Sequence, residues 1–218
     1  MRPYLLEGLD CSGKKTAAAL VTAHFLQSRK KPVKCYIGPL VRSPLKFLDD
    51  RLTHIARAIR RGELIDILRR GVYLAGPVVD GLCFRLQDNA TPLKISSHYR
   101  AYARAMIQDD QWMIRWFERI QKWSISFGGC TYITAPFEMR IERHRQDVAK
   151  KCTNKQENLR FLNYNQDAFL QWDNHLLQLL TAHIPHVQSI SSACLSPEAM
   201  AEQIIAHIEY CREQGAIP

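Results

Sequence analysis

Acidic side chains are the scarce class in this chain, 21 Asp and Glu against 30 Lys and Arg, so its 218 residues carry a formal charge of +9. That balance suits anionic partners, whether phosphorylated small molecules or nucleic acid, without choosing between them. No apolar run is long enough to cross a bilayer and no signal peptide is visible, so a cytoplasmic chain with no membrane partner is expected. Cysteine is present seven times, an odd number, with no Cys-x-x-Cys pair and no Cys/His metal spacing. Most of these cysteines fall in apolar segments, which argues against a disulfide framework and for reduced thiols. Internal repeats and low-complexity segments are missing too. The 46% hydrophobic content is therefore read as one core, in a single domain over 1–218 with a lid segment around 140–157.

What is present begins at once. Tyr4-Leu5-Leu6-Glu7 reads as a strand, Gly8 to Lys14 matches Gly-x4-Gly-Lys, and the apolar run from Ala17 to Leu26 reads as a helix. That order is what a phosphate grip requires. Backbone N–H groups from Asp10 through Cys11, Ser12, Gly13, Lys14 and Lys15 to Thr16 converge on one anion, the helix dipole adds to them, and Lys14 supplies a full charge. One position departs. Lys15 follows Lys14 where such loops carry the Ser or Thr that holds Mg²⁺, and a hydroxyl comes one place later, at Thr16.

Farther along, the stretch from Pro32 to Pro39 predicts a short strand ended by a Gly-Pro turn, and helical spacing from Pro44 to Gly81 predicts two or three helices. Pro92 to Ser97 predicts a strand, followed by helices through Tyr102 and Met106 and through Trp112, Trp116 and Phe117. Cys130 to Thr134 is the next predicted strand. Pro136 then opens a helix that carries Arg140, Arg143 and Arg145, and a polar stretch from Asp147 to Glu157 leads to a long helix over Leu159 to Thr181. His186 to Ile190 is the last strand, with Ser196 and Pro197 as cap and first residue of the closing helix. Strands alternating with helices imply an α/β fold, a parallel sheet with helices on both faces.

Taken with Glu7-Gly8-Leu9-Asp10-x-Ser12-Gly13-Lys14, this order of segments resembles the thymidylate kinase family of P-loop nucleoside monophosphate kinases over nearly the whole chain. The family's loop is Glu-Gly-Leu-Asp-Gly-Ser-Gly-Lys-Ser-Thr, and residues 7–16 keep eight of those ten positions, Cys11 and Lys15 being the exceptions. Ala135-Pro136-Phe137-Glu138 with Ile141, Arg143 and Arg145 is similar to the family's Pro-Pro-Glu helix running into an arginine-bearing lid. The resemblance implies a P-loop NTPase-type three-layer fold, ATP as phosphoryl donor, Mg²⁺, a small-molecule phosphate acceptor and a homodimer formed through helices. The middle of the chain agrees less. Ser97-His98-Tyr99 stands where the family has Asp-Arg-Tyr, Ala105-Met106-Ile107 where Ala-Tyr-Gln reads thymine, and Val78 where an arginine holds the acceptor phosphate. Thymidylate specificity is therefore not expected. The acceptor is a different nucleotide or another small molecule bearing a phosphate or a hydroxyl.

Candidate roles follow. Lys14 and the loop amides hold the donor; Arg143 and Arg145 either close over the phosphates or form a solvated helix face. The resemblance implies that Asp10 contacts a substrate hydroxyl or amine. Arg42, Tyr99 and Tyr102 are candidates for the acceptor side, the two tyrosines being equally readable as core. Trp112, Trp116, Phe117 and Trp123 read as core or a subunit interface. The basic clusters Arg29-Lys30-Lys31, Arg57-Arg60-Arg61 and Arg69-Arg70 carry no interleaved aromatics, so nucleic acid is not the expected partner. Two alternatives remain to an ATP-dependent kinase with an altered acceptor. One is a weak or inactive P-loop nucleotide-binding module, suggested by loss of the metal-holding hydroxyl and the Asp-Arg pair; the other is a nucleic-acid-binding protein that uses its basic surface.

Overall fold

The computed structural model describes residues 2–28, 31–37, 75–84, 90–150 and 166–218, leaving aside the side chains of 147–150. The strands are β1 (Tyr4–Glu7), β2 (Val33–Ile37), β3 (Thr91–Ile95), β4 (Gly129–Thr134) and β5 (Val187–Ser191). The helices are α1 (Lys14–Gln27), α2 (75–83), α3 (Tyr99–Ile107), α4 (Gln111–Ile120), α5 (Phe137–Lys150), α6 (Gln166–His183) and α7 (Pro197–Glu213). β1 is buried at all four positions, as a strand must be when neither of its faces meets water. It pairs in parallel with β3 on one edge and β4 on the other, and the full order is β2-β3-β1-β4-β5, every pairing parallel.

Alternation along β1 divides the core. Tyr4 and Leu6 join Ala17 and Val21 of α1 and Ile204 and Ile208 of α7, while Leu5 joins Tyr132, Ala103 of α3, and Phe169 and Leu176 of α6. Each fully buried leucine there contributes on the order of 1.5–3 kcal/mol. A third, smaller cluster sets Met113, Phe117 and Ile120 of α4 against Ala105.

Most boundaries fall close to the sequence expectation. Ser196 caps α7 by accepting the Ala199 N–H at 3.2 Å, with Pro197 in the first turn. The core reading of the tryptophans is corrected. Trp112, Trp116 and Trp123 are 53%, 41% and 53% exposed, and of that aromatic set Phe117 alone is core. Helical geometry is the reason: Met113, Phe117 and Ile120 take the inward face, which turns positions 112 and 116 outward. Arg42 and the helices predicted over 44–74 lie outside the described residues, as does the lid segment beyond 150. Among the described residues there are six free cysteines and no disulfide, and no helix is long and apolar enough to cross a membrane.

Candidate phosphate-binding site

The site is built where β1 ends. Glu7 is fully buried and both carboxylate oxygens are engaged: Oε1 accepts the Gly8 N–H at 3.0 Å, while Oε2 accepts the Ser97 N–H at 2.5 Å and the Ser97 hydroxyl at 2.7 Å. The start of the loop is thereby tied to the turn between β3 and α3. Gly8 has φ +145°, and a β-carbon there would run into the Ile133 carbonyl oxygen, so only glycine fits. Cys11 and Gly13 take left-handed backbone, φ 60° and 98°, and curl the chain before α1 begins. α1 has no side-chain cap and no acidic residue in its first turn. Its terminal amides and the positive end of its dipole open into the curl. The buried Ser12 hydroxyl has no hydrogen-bond partner among the described residues.

Lys14 folds back across this loop. Its Nζ donates to the Gly8 carbonyl at 2.6 Å and the Leu9 carbonyl at 2.7 Å. Burial, followed by the charge of Arg100, pushes its pKa down to about 8, against the upward pull of Glu7 and Asp10. Asp10 stands on the rim in an ion pair with Arg100. Desolvation opposes its ionisation, yet Arg100, helped by Lys14 and His144, outweighs that and holds the carboxyl below its ordinary value.

α5 brings arginine to the same place. Arg143 Nη1 donates to the Cys11 carbonyl at 3.2 Å and the Ser192 hydroxyl at 3.0 Å, and Nη2 to the Ser192 carbonyl at 3.2 Å. Arg140, one turn earlier, is fully buried. Its Nε donates to the Ala135 carbonyl at 2.6 Å, its Nη2 reaches the Asp173 carboxylate at 3.2 and 3.4 Å, and the guanidinium lies 4.8 Å from the Phe169 ring centre. Asp173 also accepts from Tyr132, and from Thr134 at 3.0 Å.

Of the residues singled out by sequence, the structure gathers Asp10, Cys11, Ser12, Gly13, Lys14 and Arg143. Arg145, Lys15 and Thr16 are exposed, and the backbone amides of Lys15 and Thr16 belong to the first turn of α1. Tyr99 is 5% exposed and stacks on His183 at 5.5 Å, and Tyr102 stacks on Phe117 at 5.1 Å, so both rings serve packing. His98 is buried between Tyr99 and Phe117, and desolvation, with Lys94 and His183 adding to it, pushes its pKa down to about 3. A neutral imidazole supplies no charge at this position. Sequence reasoning missed Asp173 and Ser192, which lie 33 and 49 residues from the arginines they hold and carry no local signal.

These residues do not fit a protein-held Mg²⁺. Lys15 replaces the usual hydroxyl, both Glu7 oxygens already accept hydrogen bonds, Asp10 is paired with Arg100, and no group of three His, Cys, Asp or Glu side chains that could hold a metal occurs among the described residues.

By sequence, no family model and no curated protein matches this chain. By structure, the chain is similar to deoxyadenosine kinase from M. mycoides over 95% of its own length and 99% of that chain. The form with bound dATP gives TM-score 0.59 at 10% identity, that with bound dCTP 0.55 at 11%, and that with products dCMP and a flexible dCDP 0.57 at 10%. The fold is of the P-loop NTPase type. The Gly-x4-Gly-Lys loop is residues 8–14, with Cys11 at its left-handed bend and Lys15 just beyond it.

Proposed function

We propose that the chain transfers a phosphoryl group from ATP to the hydroxyl of a nucleoside-type acceptor. The observation that carries this reading is Lys14, a buried ammonium held by two neutral carbonyls beside an uncapped helix N-terminus. A phosphate entering the curl offers that ammonium an anionic partner in place of the carbonyls, and a charge-assisted bond is the stronger one. Arg143 can make the same exchange at the Cys11 carbonyl and stabilise charge on the moving group. Transfer then needs an aligned acceptor and little covalent help from the protein. Asp10, ionised and held by Arg100 at the rim, is the group we assign to orient the acceptor hydroxyl.

The acceptor class rests on two uncharged positions. Val78 stands where the resembled family's arginine holds an acceptor phosphate, and neutral His98 stands where it has a second arginine. Both changes favour a hydroxyl acceptor over a phosphate. The M. mycoides deoxyadenosine kinase structures, with dATP, dCTP, dCMP and dCDP bound, support a nucleoside for this fold.

The test is incubation with γ-labelled ATP and each nucleoside, deoxynucleoside and nucleoside monophosphate in turn. Labelled nucleoside monophosphate is expected, and none from Lys14→Ala. Labelled diphosphate made from a monophosphate would move the acceptor back to a phosphate. ATP stabilisation with no product at all would favour the second reading, a nucleotide-binding module without turnover, for which the full engagement of Glu7 speaks.

A further inference from the structure

α4 turns an unusual face to solvent. Trp112, Arg115, Trp116 and Arg119 follow the i, i+3, i+4, i+7 spacing that normally lines a buried stripe, yet here Met113, Phe117 and Ile120 fill the core and the indoles are outside. The indoles of Trp112 and Trp116 meet edge to face, with centroids 6.2 Å apart. Together with Gln111, Arg115 and Arg119 they border a hollow of about 380 Å³. Trp123 follows in the next turn with the Lys122 ammonium 5.5 Å from its ring centre.

Nearby acids are turned elsewhere. Glu118 bonds Tyr102, Asp109 accepts from the Gln111 side chain at 2.6 Å, and Asp110 caps α4 through the Met113 N–H at 3.1 Å. Arg115 and Arg119 are exposed and have no carboxylate partner among the described residues. Flat aromatic surface interleaved with exposed cations is complementary to a chain that alternates flat rings with anions.

We infer that this face of α4 is a stacking platform for single-stranded nucleic acid, with bases on Trp112 and Trp116 and backbone phosphates on Arg115 and Arg119. Base stacking on aromatic side chains tolerates sequence, and arginine adds charge and cation–π attraction. The three basic clusters noted in the sequence lack such rings; α4 has them. A second copy of this chain would have to set the same patch against itself, and the sedimentation comparison below separates that occupant from an oligonucleotide. The inference does not depend on the kinase reading.

The experiment is fluorescence anisotropy with a fluorescein-labelled oligothymidylate of about 15 nucleotides. It compares wild type, Trp112→Ala/Trp116→Ala, Arg115→Gln/Arg119→Gln and Lys14→Ala over a KCl series. Expected are saturable binding with quenching of the indole emission in the wild type, and roughly tenfold or greater weakening in the tryptophan pair. The arginine pair should flatten the slope of log K against log salt by about 1.4, roughly 0.7 for each phosphate no longer neutralised. Lys14→Ala should bind like wild type, and the tryptophan pair should keep its ATP-dependent stabilisation. The inference is overturned by absence of binding at low salt, by equal binding and no quenching in the tryptophan pair, or by loss of binding in Lys14→Ala, which would put the oligonucleotide in the P-loop. A dimer-to-monomer shift of the tryptophan pair in sedimentation would make a second copy the occupant. Preference for phosphatidylserine vesicles over the oligonucleotide would make it a bilayer, and either result also overturns the inference.

Discussion

Two lysines in this molecule are buried to the same degree, and they are held in opposite ways. Lys14 and Lys94 are each 7% exposed. Lys94 Nζ lies 2.8 Å from the carboxylate of Asp80, itself 1% exposed, whereas Lys14 is held by the carbonyls of Gly8 and Leu9. On α5 the contrast repeats: Arg140 is locked to the Asp173 carboxylate, and Arg143 rests on the Cys11 and Ser192 carbonyls and a hydroxyl. A cation paired with its own buried carboxylate gains nothing by letting go. One held by neutral oxygens does gain when a phosphate arrives. The partner's charge, rather than depth of burial, separates the structural cation from the one free to work.

Breaking the structural pair should give the largest effect. Lys94→Ala removes a charged partner from the buried Asp80 carboxylate and is expected to cost about 3–5 kcal/mol in urea unfolding. The double change Lys94→Met/Asp80→Leu should recover most of that loss. If Lys94→Ala is nearly neutral, the pair does not hold β3 to α2. Lys14→Ala should differ in kind. Its unfolding free energy should not fall as that of Lys94→Ala does, since two carbonyls lose one donor while the cost of burying the charge is relieved. The stabilisation by ATP, about 2.7 kcal/mol at a hundredfold excess over Kd, should vanish in a thermal melt. Retained ATP stabilisation would remove Lys14 from the grip.

These two lysines also show what sequence alone disclosed. Lys14 was legible as a candidate because its setting is local: strand, glycines, lysine and helix are contiguous over residues 4–27. The parallel sheet was legible for a similar reason, since β1, β3 and β4 are apolar runs between helical periods. Lys94 reads as a lone charge inside a strand, and nothing near it announces Asp80, which reaches it from α2 fourteen residues away. Asp173 and Ser192 were hidden in the same way. Of the two readings of the tryptophans, core or subunit interface, exposure removes the first, because helical spacing gives a face without saying which side the core lies on.

Arg143→Ala sharpens the contrast within α5. Loss of one charged donor to the phosphates should weaken ATP binding by about 1.5–3 kcal/mol in calorimetry, with unfolding changed by about 1 kcal/mol or less. Arg145→Ala, exposed on the same helix, should leave both unchanged. An equal loss at Arg145 would mean that α5 turns on binding.

The smallest effect is a matter of protons. The Lys14 pKa near 8 in the empty protein is set chiefly by burial, and a phosphate beside the ammonium must raise it. ATP binding at pH 8–9 should therefore take up a fraction of a proton, seen as a dependence of calorimetric heat on buffer ionisation enthalpy. Below about pH 7 the uptake should disappear, because Lys14 is already charged. The unfolded chain's lysine titrates at about 10.4, so between pH 8 and 10 the unfolded state binds more protons than the empty folded one. Over that window this group makes unfolding harder as pH rises, while ATP affinity falls. The two trends have opposite signs because one relieves a buried charge and the other removes the charge that ATP requires. Lys14→Ala should flatten both. If affinity falls with pH in that variant as steeply as in wild type, another group carries the linkage and the neutral cradle of Lys14 has no part in it.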